Sequence, residues 1–174
     1  YGVVQPDDEY PESIPLVRVG NLQGGWVDHR ALTRIAPAVE RAYARSRLFG
    51  DEILVSCVGS VGVVALATEA EKNFNIARAV ARIRVSPETN RDFIAAQLQS
   101  LRVQRYFTQE LRTVSQPTLN IKQIAETEVF CPPLAMQTEF AGRVAEVRRL
   151  QGAGQKSHRE QQALITEWLA SATM

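Results

Sequence analysis

The chain has 174 residues, 45% of them hydrophobic and 22% charged, with a net charge of +1. That length suits one domain, or one domain with an appendage, and is enough to bury a real core. No apolar run reaches the roughly 18–20 residues of a membrane span, and the acidic start lacks the basic-then-apolar order of a signal peptide. Two cysteines, Cys57 and Cys131, fit a reducing compartment without a disulfide framework. These features predict a cytoplasmic protein, and the opening Tyr1 in place of Met points to a trimmed or excised fragment.

In chain order, "IPLVRVGNLQGGWVDHRAL" reads as two short strands flanking a Gly24-Gly25 turn. "APAVERAYARSRL" starts a helix, with Pro37 in its first turn. "DEILVSCVGSVGVVALA" is a pair of apolar, β-branched runs about a turn at Gly59 and Gly62, hence two buried strands. "RAVARIRV" alternates, setting Ala79, Ala81, Ile83 and Val85 on one face and Arg78, Val80, Arg82 and Arg84 on the other. Residues 89–112 are helical in two pieces, and Arg102, Arg105, Gln109 and Arg112 form one polar stripe on the second.

The polar stretch "SQPTLNIKQI" follows at residues 115–124. Read as extended chain, it turns Gln116, Thr118, Asn120 and Lys122 outward and anchors Leu119, Ile121 and Ile124 in the core. A strand is expected over residues 127–131, closed by Pro132-Pro133. From residue 135 to 170 the chain is helix-forming and proline-free, and one continuous helix would reach roughly 50 Å. Phe140, Val144, Val147, Gln151, Gly154, His158, Gln161, Ile165 and Trp168 fall on alternating steps of four and three, a heptad seam that is polar or small in its middle. The alternative is a helical hairpin broken at "QGAGQ", since each glycine weakens a helix by about 1 kcal/mol relative to Ala. The expected fold class is therefore α+β: a mixed globular domain over 1–134 and a long coiled-coil-type helix over 135–174.

Charge is unevenly spread. Residues 78–112 hold seven arginines against three acids, and the whole chain has 17 Arg to 3 Lys. Arginine grips phosphate and guanine bidentately, although a GC-rich genome produces the same bias. Enzyme readings fare poorly. The positions two residues before the lysines are Ala70, Asn120 and Gly154, so the acid-x-Lys element of many nucleases is absent. His29 and His158 have no metal-ligand spacing. Cys57 ends an apolar run and reads as a small buried residue, the rival being a nucleophile activated by His29. Gly59-Ser-Val-Gly62 has the outline of a phosphate loop or a Gly-x-x-Gly RNA clamp, but no basic residue lies within it, and a tight strand connection explains it.

What remains are polar sets suited to binding: the turn at 21–26, Arg45 and Arg47, Ser56 and Ser60, residues 72–78, the helix stripe and the 115–124 stretch. Each alone also reads as a solvated face or a capped turn. Together, in a domain without an active site, they point to recognition: Asn and Gln read adenine, Arg reads guanine, and Ser, Thr and Lys hold phosphates.

Taken in order, "IPLVRVGNLQGGWV", "SRLFGDEILVSCVGSVGVVAL", "NIARAVARIRV", "TLNIKQI" and "CPPLAMQTEF" resemble the specificity subunit of type I restriction-modification enzymes. One departure is Met136 before Gln137, where that family often has Glu-Gln after the Pro-Pro-Leu turn. The resemblance implies a non-catalytic protein that reads one half of a split double-stranded DNA target through a target recognition domain, with a long helix setting the spacing. It implies methyltransferase subunits as partners, carrying S-adenosylmethionine, and a restriction-translocase subunit joining through the complex. This chain itself is expected to hold no cofactor or metal. With one recognition domain and one helix it corresponds to half a subunit, and two copies are expected to pair antiparallel through Phe140, Val144, Val147, Ile165 and Trp168.

No base-reading motif carries over from the family, so contacts are inferred from side-chain chemistry. The expected DNA-binding residues are Asn21, Gln23, Arg45, Arg47, Ser60, Asn73, Arg105, Gln116, Thr118, Asn120 and Lys122. Two rival readings stand beside this one: a protein adaptor with a coiled-coil stalk and no nucleic acid, and a small Cys57-dependent hydrolase.

Overall fold

The apolar run Ile53–Ser56 forms strand β5, and all four of its residues are buried. The fold is built around it. The structure is a computed structural model and describes residues 2–4, 13–111, 118–147, 149 and 150. The other strands are β1 (Ile14–Val17), β2 (Leu22–Gln23), β3 (Trp26–Val27), β4 (Thr33–Ile35), β6 (Val64–Leu66), β7 (Asn75–Ile76) and β8 (Val80–Ile83). They make a five-stranded sheet in the order β2-β3-β6-β5-β8 and a three-stranded sheet in the order β4-β1-β7. Within the larger sheet β5 pairs antiparallel with both β6 and β8.

Both faces of that sheet are covered, which explains why β5 and β6 read as continuous apolar runs and not as alternating ones. Ile53, Val55, Val64 and Leu66 face a core made with Phe93, Leu98, Val103 and Phe107. Leu54 and Ala65 face the opposite way, against Val17, Leu22, Leu48 and Ile76. The expected alternation in β8 holds. Ile83 packs with the first of these clusters and Val80 with the second.

The helices are α1 (Pro37–Ala42), α2 (Arg91–Leu98), α3 (Leu101–Leu111) and α4 (Ile121–Ala125). Residues 134–147, 149 and 150 are also helical and are called α5. Pro37 opens α1 at its first turn, where a missing N–H costs nothing. Asn90 caps α2 by accepting from the Phe93 N–H at 3.0 Å. Residues 89–112 thus form two helical pieces as expected, with Arg112 itself outside the described residues.

Three expectations need correction. The Gly24-Gly25 turn does close a hairpin, with Gln23 opposite Trp26, but "IPLV" lies in the other sheet, paired with β4 and β7. The strand expected over 127–131 does not form. There the Gln97 amide takes the place of a neighbouring strand: Phe130 N–H donates to its Oε1 at 2.7 Å, and its Nε2 donates to the Phe130 carbonyl at 2.6 Å. Residues 119–125 are not extended either. Asn120 accepts from Gln123 N–H at 3.0 Å and Gln123 Oε1 accepts from Asn120 N–H at 2.8 Å, a capping box that starts α4. Leu119 is buried in the core and Ile124 packs against it, whereas Ile121 is exposed.

The start of α5 is locked to the domain by Gln137, which is 1% exposed. Its Oε1 accepts from Asn90 N–H at 2.9 Å and its Nε2 donates to the Pro132 carbonyl at 2.6 Å. Phe140, placed in the seam by sequence, meets Phe93 edge-on with ring centroids 5.4 Å apart. Val144 lines a cleft beside Trp26, and Val147 is exposed. Ile165 and Trp168, and the choice between one helix and a hairpin, lie outside the described residues. Met136, by contrast, is exposed. Gln137→Leu is expected to cost about 1–3 kcal/mol in urea unfolding by removing the side-chain partner of two half-buried backbone groups, while Met136→Glu stays within about 0.5 kcal/mol of the parent.

Candidate nucleic-acid interface

At the end of the sheet where Ser56 lies opposite Val80, a short turn over residues 57–63 joins β5 to β6. Gly59 and Gly62 take φ of +77° and +83°, a region closed to most side chains. A Cβ added at Gly62 would also lie 2.8 Å from Gln104 Oε1 and 3.2 Å from Phe107, so those side chains would have to shift. Beneath the turn, the Ser56 hydroxyl donates to the Ser60 carbonyl and accepts from Val63 N–H at 2.8 Å. Gln104 Nε2 holds the Gly62 carbonyl at 2.9 Å from the helix side. The Ser56 hydroxyl is therefore consumed internally, while Val58, Gly59 and Ser60 are presented to solvent on a rigid base.

A second segment lies along this turn. Leu119 N–H donates to the Cys57 carbonyl at 2.9 Å, and Val58 bridges Thr118 in antiparallel fashion. Between the turn, Arg78 and residues 118–121 lies a cleft of about 540 Å³. Arg78 is exposed, has no ion-pair partner among the described residues, and also lines a neighbouring hollow with Arg18 and Gly20. The tertiary fold thus brings Thr118 and Asn120 beside the turn that carries Ser60, and adds Arg78 in the cleft and Arg18 in the neighbouring hollow. Arg78 was visible in sequence only as the last residue of a polar set. Arg18 was not singled out, and only its place directly after the β1 apolar run marked it.

The other expected residues divide by what their side chains already hold. Asn21 is buried: its Oδ1 accepts from Arg18 N–H at 2.9 Å and its Nδ2 donates to the Asp28 carbonyl at 3.1 Å. It shapes the loop and is not presented to a ligand. Arg47 forms a two-pronged pair with the buried Glu40 carboxylate at 2.7 and 2.6 Å, and this contact raises its pKa. Gln23 is exposed and donates to the Gly20 carbonyl at 2.8 Å. Asn73 is exposed with φ of +68°, its N–H bonded to the Leu48 carbonyl at 3.0 Å. Arg45 is exposed at a separate groove, and Arg105 is exposed on α3. Asn120 is exposed but commits its Oδ1 to the α4 cap, and Lys122 is exposed with Glu126 at 3.7 Å. Gln116 lies outside the described residues.

The surroundings of Cys57 disfavour a nucleophilic thiolate. The residue is buried, desolvation pushes its thiol up to about 11, and its Sγ faces the Val55 carbonyl at 3.6 Å. His29 is bound to the buried Glu71 carboxylate instead. Among the described residues no cluster of His, Cys, Asp or Glu is arranged to hold a metal ion, and no helix is long and apolar enough to cross a membrane.

A sequence model of the type I restriction modification DNA specificity domain matches residues 9–152. The chain belongs to this family. It is 37% identical over 150 residues to the type I restriction enzyme EcoBI specificity subunit of Escherichia coli. The match takes in 84% of this chain and 31% of that subunit, so the chain spans about a third of its relative's length. Among solved structures, the HsdS subunit from Thermoanaerobacter tengcongensis aligns with a TM-score of 0.60 at 19% identity, over 83% of this chain and 40% of that one. A chain from work on complex assembly and conformational transition of the type I R-M system aligns at 0.62 and 14% identity, over 92% and 38%. At these identities the likeness is one of fold.

Within this specificity domain the thiols give a direct check on the packing around the turn. At pH 8, three units below the Cys57 pKa of about 11, iodoacetamide is expected to label one thiol per native chain, the exposed Cys131. Unfolding in guanidinium is expected to raise this to two, read by intact mass.

Proposed function

We propose that the chain is the target recognition half of a type I specificity subunit, binding double-stranded DNA and reading one half of a bipartite sequence. The observation that carries this reading is the family match across residues 9–152, supported by the likeness to the EcoBI specificity subunit. The physical support is the cleft at the end of the larger sheet. Thr118 and Asn120 line it with hydrogen-bonding groups and Ser60 is exposed on the adjoining turn; Arg78 supplies positive charge to it, Arg18 to the neighbouring hollow, and Lys122 follows on α4. Groups of this kind hold phosphates and touch base edges.

In this reading the chain is non-catalytic and holds no cofactor. Methyltransferase subunits carrying S-adenosylmethionine dock on it, a restriction-translocase subunit joins through them, and the assembly works in the bacterial or archaeal cytoplasm. Residues 1–134 form the recognition domain and 135–174 the spacer helix. Two copies pair through the seam, with Val147 exposed for that purpose and Phe140 shared with the domain through Phe93.

Selection from random duplex DNA, using the chain with its methyltransferase partner, is expected to enrich one short half-site. Recovery of unenriched pools would overturn the reading. Against the selected duplex, Arg78→Ala and Lys122→Ala are each expected to weaken binding alike for all sequences and to lower the slope of log affinity against log salt by about 1. Ser60→Ala is expected to change discrimination among half-site variants while leaving that slope alone.

A further inference from the structure

A second surface runs along the outer edge of β8 and adjoins the cleft beside the Gly59 turn, with which it shares Val80, Ala81 and Ile121. Among the described residues β8 terminates the five-stranded sheet, so one of its edges has no neighbouring strand. Beside that edge lies a groove of about 540 Å³, walled on the far side by α4 and residues 125–129. Ile83, Ile94, Leu98, Ile121, Ile124 and Val129 give it an apolar lining, and Ile121 and Val129 are left exposed. Its rim is basic: Arg45, Arg82 and Arg84 all line it.

The rim is built to hold its charge in place. Phe49 lies under two guanidinium groups, with Arg82 5.4 Å and Arg84 4.7 Å from its ring centroid. The nearby Glu52 carboxylate is fully buried and neutralises Arg82, which leaves Arg45 and Arg84 as the rim's available charge. It accepts from Phe49 N–H at 2.9 Å, Gly50 N–H at 3.0 Å and Asp51 N–H at 3.2 Å, and from Arg82 Nη1 at 3.1 Å. Its charge is met within this nest. Asp51 stands 3.4 Å from Arg84, both side chains more than half exposed, so solvent screens that pair. Arg45, whose carbonyl accepts from Arg82 Nη2 at 2.6 Å, keeps its own guanidinium free of any ion pair among the described residues.

We propose that this groove and the free edge of β8 receive an extended segment of a partner polypeptide, apolar at alternate positions and carrying carboxylates where it passes Arg45 and Arg84. A strand added to a sheet edge draws affinity from main-chain hydrogen bonds and specificity from pockets for every second side chain. The β8 edge and the apolar groove supply both, and the basic rim selects acidic residues. An α-helix bonds its own N–H and C=O groups internally and would leave the β8 edge unpaired. Duplex DNA would leave the apolar lining unused. The inference does not rest on DNA reading at the cleft beside the Gly59 turn.

The test is selection of phage-displayed random dodecapeptides on the immobilised full chain, followed by fluorescence anisotropy with the enriched peptides. The expected peptides alternate apolar residues with Asp or Glu. Their affinity is expected to fall at least tenfold in Arg45→Glu and in Val129→Lys, both exposed positions, and to be unchanged in Arg143→Glu on α5. Three outcomes would overturn the proposal: no peptide enriched, enriched peptides that bind both groove variants as tightly as the parent, or a 20-base-pair duplex that displaces them and itself loses affinity in Val129→Lys. The first two leave the half-site selection above untouched, so the two readings fail separately.

Discussion

Burial of β5 on both faces is the constraint from which the rest follows. Ile53 and Val55 point into one core and Leu54 into another, so a register slip of a single residue would exchange two packed environments. That fixed register places Ser56 at the strand's end with its side chain fully buried. Its hydroxyl can then only be satisfied from within, by the Ser60 carbonyl and the Val63 N–H. The exposed tip of the turn is aimed by a strand that cannot move and by Gln104 from α3. Recognition groups gain specificity when their backbone is held in this way.

The same economy governs charge. Three buried carboxylates, Glu40, Glu52 and Glu71, each have a cation or imidazole partner: Arg47, Arg82 and His29. No buried side-chain polar atom among the described residues lacks a hydrogen-bond partner. A buried carboxylate without such partners would be strongly destabilising, so several arginines that look available in sequence are structural. Arg47 is the clearest case. The arginines left for an external ligand are those with no buried acid beside them, such as Arg78 and Arg45. Counting arginines cannot separate these two groups, because the distinction depends on where the acids are buried.

The passage from the globular part to α5 depends on one amide. Gln137 joins the N-terminus of α2 to the Pro132-Pro133 turn, and Phe140 then rests on Phe93 one turn further along. Met136, the departure from the expected pattern, is exposed, whereas its neighbour Gln137 is buried and makes the contacts. The first turns of the heptad seam thus serve the domain before they serve any helical partner.

Periodicity determined a good deal by itself. The runs at β5 and β6, the alternation in β8, the Pro37 helix start, the break between α2 and α3 and the Gly24-Gly25 hairpin were all legible, because each rests on local sterics or on a face that must be buried. The family resemblance was legible too, from the order of its blocks. The sequence did not reveal that "IPLV" pairs with β4 and β7, since strand partners are chosen by long-range packing. It did not reveal that Gln97 replaces a strand at Phe130, or that Asn120 caps α4, because a polar side chain's hydrogen bonds depend on which backbone groups the fold leaves unpaired. For the same reason only the tertiary structure decided that Asn21 and Arg47 are internal fasteners while Gly59, Arg78 and Thr118, far apart in the chain, border a single cleft. Chemistry is written residue by residue, but availability is set by burial and by the partners that burial imposes.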